Sequence, residues 1–74
     1  MEKLTIVLEP IATITEFEKL QDTIEAHNGV GEVAAFFKTN KLVIQFNLFQ
    51  TSAAELKQLI TDLGHKIISS TTEH

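Results

Sequence analysis

Alternation of side chains restricts the fold more than any other feature. In KLTIVLE, residues 3 to 9, Leu4, Ile6 and Leu8 fall on one side and Thr5, Val7 and Glu9 on the other. That is a period-2 strand with one fully apolar face. Pro10 ends it, because proline cannot donate to a strand ladder. The period then changes. Thr13 with Glu16, or Thr15 with Glu18, can form a capping box, so a helix starts near residues 13 to 15. Phe17, Leu20 and Ile24 recur at helical spacing behind it. His27-Asn28-Gly29 is a stop signal, since Gly29 can take a left-handed backbone.

The stretch VGEVAAFFKTNKLVIQFNLF returns to period 2 as a hairpin. Val33, Ala35 and Phe37 alternate on its first arm, and Leu42, Ile44 and Phe46 on its second. Thr39-Asn40 supplies the turn, because Asn tolerates positive φ. Ser52 with Glu55 then caps a second helix with the stripe Leu56, Leu59, Ile60 and Leu63, closed by Gly64. KII, 66 to 68, reads as a short final strand, and the polar SSTTEH as a frayed tail. The order is βαββαβ. With short connections and right-handed crossovers, it predicts an α+β, ferredoxin-like sandwich. Its four-stranded antiparallel sheet, ordered 4-1-3-2, carries both helices on one face.

Seventy-four residues make a single domain. Cysteine is absent, which removes disulfides, thiolate metal sites and cysteine nucleophiles together. The apolar runs are far too short for a membrane span, and the N-terminal one is too short for a signal peptide, so a cytoplasmic location is expected. Six Lys and no Arg face ten acidic residues, for a net charge of −4. Neither nucleic-acid binding nor phosphate chemistry suits that balance.

The chain resembles the heavy-metal-associated domain of small copper chaperones and metal-pumping ATPases. The resemblance rests on Gly29-Val30 before the second strand, on Val33, Ala35, Phe37, Leu42 and Ile44 in the hairpin, and on Gly64-His65 before the last strand. It spans residues 3 to 68 and implies one such domain over residues 1 to 70, with a disordered tail at 71 to 74. The family's metal loop, Met-x-Cys-x-x-Cys, then falls on Ile11, Thr13 and Glu16. Ile11 can plug the core as the Met does. Neither cysteine is present, and copper(I) prefers soft thiolate or thioether donors. No cofactor is expected, beyond weak zinc or nickel binding by Thr13, Glu16 and His65, which the topology sets at one end. The simpler reading of His65 is a surface residue. His27 lies at the opposite end, in a structural role at a helix C-terminus.

The uncovered side of the sheet should present Thr5, Val7, Glu32, Ala34, Phe36, Lys38, Lys41, Val43, Gln45, Asn47 and Ile68. Ile68, Val7, Val43 and Phe36 could form an apolar row across it, a contact surface for a protein partner or a homodimer. The expected function is therefore a non-catalytic protein-interaction module with at most weak metal binding. The alternative is an ACT-like domain that binds a small regulatory molecule, though its first loop, EPIATIT, has no Gly. An enzyme is not expected: no Arg is available for anion catalysis, and no catalytic set converges.

Overall fold

A computed structural model of the chain describes residues 1 to 73. The elements are β1 (Glu2–Leu8), α1 (Ile14–Glu25), β2 (Val30–Phe36), a 3-10 turn (Phe37–Thr39), β3 (Lys41–Phe46), α2 (Ala53–Asp62) and β4 (Ile67–Glu73). All strand pairs are antiparallel, in the order β2-β3-β1-β4. This is the expected ferredoxin-like sandwich. Among the described residues, no helix is long and apolar enough to cross a membrane.

The alternation of β1 and β3 decides what is buried. Leu4, Ile6, Leu8, Leu42, Ile44 and Phe46 point to the helices and are closed from solvent, together with Phe17, Leu20 and Ile24 of α1 and Leu56 and Ile60 of α2. Both helices begin where their caps place them. Thr13 Oγ1 accepts from the Glu16 amide, and Ser52 Oγ from the Glu55 amide, at 3.2 Å each. Gly29 and Gly64 take φ of 91° and 93° just beyond the helices, as their positions require.

Four details depart from the sequence reading. The hairpin turn is longer than Thr39-Asn40, because Phe37 leaves the strand for the 3-10 turn; its ring still packs edge-on against Phe17, at 5.5 Å. Asn40 is left-handed, at φ 53°. Leu63 caps α2 and stays exposed, since the chain turns away before its side chain reaches the core. The tail is no tail: Ser69 to Glu73 continue β4 along β1, with Lys3 opposite Glu73 and Thr5 opposite Thr71. What orders residues 71 to 73 is the free ladder of β1, a non-local partner that polar side chains do not announce. His74 lies outside the described residues.

Register is the fourth. The sheet shifts between Val7 and Leu8 opposite β4, and between Val30 and Val33 on β2. The first shift leaves Ser69 rather than Ile68 opposite Val7. Across the unbroken β1–β3 pairing and the regular part of the hairpin, Val43 sits opposite Thr5 and Ala34, while Lys41 lies opposite both Val7 and Phe36. The apolar row is consequently stepped, with a lysine set into it.

Candidate functional site

One end of the sandwich gathers the loop after β1, the β2–β3 turn and the loop before β4. The Leu8 amide donates to the Asn40 carbonyl at 2.8 Å, and the Glu9 amide to the Lys66 carbonyl at 3.0 Å. The Ile11 amide reaches Asn40 Oδ1 at 3.5 Å, and the Ile11 side chain is buried beneath the loop, as a plug should be. Between the loop, α1 and residues 63 to 66 lies a cleft of about 600 Å3. Its walls include Glu9, Ile11, Glu16, Lys19, Leu63 and His65.

Of the three candidate metal ligands, Glu16 and His65 share this cleft and Thr13 does not line it. The Thr13 hydroxyl is committed to the helix cap. One carboxylate and one imidazole are fewer donors than a closed protein site for zinc supplies. Among the described residues, no three His, Cys, Asp or Glu side chains are grouped so as to hold a metal ion. The cleft combines an apolar floor with Lys19 and Lys66 beside Glu9 and Glu16.

The opposite end holds His27, in the structural role expected of it, with partners that the sequence reading passed over. Thr51, only 5% exposed, donates from Oγ1 to Glu55 Oε2 at 2.9 Å. His27 Nε2 stands 3.3 Å from the same hydroxyl and 3.7 Å from the carboxylate, tying the end of α1 to the start of α2. Beside this network, Asn47 organises a tight loop. Its Oδ1 accepts from the Phe49 amide, and its carbonyl from the Gln50 and Thr51 amides, all at 3.0 Å. Leu48 and Phe49 stand on that loop in solvent, Phe49 98% exposed. The signal was available: two apolar residues left over between the last alternating residue, Phe46, and the Ser52 cap.

On the uncovered sheet face, Val7 and Val43 are half-buried, while Phe36 is 49% and Ile68 61% exposed. Lys41 separates Val7 from Phe36 in one row, and Val43 stands diagonally from both. Diagonal neighbours on a sheet still come within reach of long and aromatic side chains.

No family model and no curated protein matches the chain. Solved structures do. A CsoZ metallochaperone superposes with a TM-score of 0.82 at 21% identity, over 93% of this chain and 100% of its own. A copper binding domain from HMA7, a P-type ATPase, gives 0.83 at 17% identity, over 95% and 97%. Oxidized MerP from Ralstonia metallidurans CH34 gives 0.81 at 20%, over the full length of both. At such identities the likeness establishes the fold. The chain thus shares its fold with a metallochaperone and with the copper binding domain of a P-type ATPase, and has no cysteine anywhere in it.

Proposed function

We propose that the chain is a non-catalytic docking module that engages a partner protein through its uncovered sheet face, in the cytoplasm. The observation that supports this best is Phe36, half in solvent on a face that also presents Val7, Val43 and Ile68. A phenyl ring gains nothing from water, and a buried aromatic anchor supplies much of the energy of protein contacts. Lys41, inside the patch, would give the contact a preference for a partner bearing a carboxylate at its centre. A metallochaperone and a copper binding domain share this fold. With Thr13 and Glu16 in the loop, contact without a thiolate-held ion is what remains.

The test compares wild type with Phe36→Glu and Phe49→Glu. A partner captured by wild type and by Phe49→Glu but lost with Phe36→Glu supports the open face. Equal capture by all three chains overturns it.

A second reading rests on Glu16 and His65 lining one cleft. It is weak zinc or nickel binding, with water completing the coordination shell. Titration followed by NMR should move residues 11 to 16 and 64 to 66 together, and the response should vanish in His65→Ala. Silence at those residues removes the reading.

A further inference from the structure

The sheet has two edges, β2 and β4, and they are not alike. Natural proteins blunt edges with bulges and charges, because a row of unpaired N–H and C=O groups invites another strand. β2 is guarded in this way: its register is broken between Val30 and Val33, and Glu32 lies in the break. β4 is irregular only at its start. From Ser69 to Glu73 it pairs evenly with β1, and it carries no proline, no glycine and no charge before Glu73.

β4 also runs well beyond its own burial. Ile67 is its one half-buried residue, and every side chain from Ile68 to Glu73 is exposed, including Ser70 and Thr72 on the helix side. Side-chain packing therefore does nothing to hold the outer part of the strand. A ladder on one side alone holds it.

We propose that β4 is a self-association edge: two copies pair β4 against β4, antiparallel, joining their sheets across a two-fold axis. The sequence selects this occupant. Lys66 precedes the strand and Glu73 ends it. Antiparallel pairing brings Lys66 of one copy beside Glu73 of the other, whereas parallel pairing would set like charges together. Residues opposed in an antiparallel ladder share a side of the sheet, so the axis that keeps Lys66 beside Glu73 falls on Ser70 facing itself. Small hydroxyl side chains meet there without steric conflict, and Ser/Thr cross-strand pairs are favourable. A two-fold contact of this kind closes on itself and stops at the dimer. The inference goes beyond the docking role, because it uses the edge and leaves the open face free.

Sedimentation equilibrium of the full chain over a concentration series tests it. Wild type should show a monomer–dimer equilibrium. Thr71→Lys, which sets two ammonium groups together near the axis, should weaken it at least about tenfold, while Phe36→Glu leaves it unchanged. Amide exchange in wild type provides a reading that needs no variant: protection of Ser69 to Glu73 should rise with protein concentration. A monomer up to about 1 mM, or a dimer indifferent to Thr71→Lys, overturns the proposal. A dimer lost only in Phe36→Glu would overturn it in favour of the open face.

Discussion

Each end of the sandwich holds a threonine, a glutamate and a histidine, and the two trios behave differently. At the loop end they are Thr13, Glu16 and His65; at the other, Thr51, Glu55 and His27. One position of offset separates them. Thr13 is itself the N-cap, so its hydroxyl accepts from a backbone amide, and Glu16 is left to line an open cleft. Thr51 stands one residue before the cap, with Ser52 doing the capping. Its hydroxyl is therefore free to donate to Glu55, one turn on, with His27 closing the network from the other helix. The same residue types give a closed staple in one place and an open cleft in the other. The helix start decides which.

The glycines flanking the two ends offer the largest test of that contrast. A Cβ on Gly29 would lie 2.8 Å from Gln50 Cβ and 3.0 Å from Thr51 Cγ2, at a φ of +91°; on Gly64 it would meet nothing within 4 Å. Gly29→Ala should therefore cost about 3 kcal/mol or more by denaturant titration, from steric conflict added to the left-handed backbone. Gly64→Ala, with the backbone cost alone, should cost about 1 kcal/mol. Equal losses would mean that the staple end is no more tightly built than the loop end.

Removing the hydroxyls comes next. Thr51→Val keeps the shape and deletes the donor to Glu55, and should cost about 1–2 kcal/mol. Thr13→Ala removes a cap and should cost about 1 kcal/mol, chiefly by fraying α1, which amide exchange at residues 14 to 17 would detect. The smallest effects belong to the cleft. Glu16→Gln and His65→Ala should each change stability by less than about 0.5 kcal/mol, since neither side chain supports the core. A larger loss in either would place these residues in the structural framework instead.

The Ser52 cap, the Thr13 cap as one of two options, both left-handed glycines and the inward faces of β1 and β3 were legible because each is a local pattern. Thr13 and Ser52 are followed three residues later by Glu, and Leu4, Ile6 and Leu8 alternate without interruption. What escaped the sequence reading depends on distant partners. Ser69 to Glu73 form a strand because β1 offers a ladder, a condition written in another segment. The apolar row on the open face depends on register between strands, which alternation within one strand cannot reveal: Lys41 lies opposite Val7 and Phe36, and Ser69 opposite Val7. At the candidate site, the approach of Glu16 to the His65 loop followed from topology alone. The departure of Thr13 from that group depended on which of two capping boxes was used. The Thr51 network was missed because its histidine comes from a residue 24 positions away.

At the loop end, on the fold shared with a metallochaperone, Thr13 is committed to a helix cap and Glu16 lines an open cleft, and neither is a thiolate. Copper(I) competition against a thiol-strength chelator tests this most directly, comparing wild type with Thr13→Cys/Glu16→Cys. The double variant should stay folded and bind copper(I) tightly, one ion per chain, while wild type leaves the chelator loaded. Tight binding by wild type, or a folded double variant that binds no better, would contradict it.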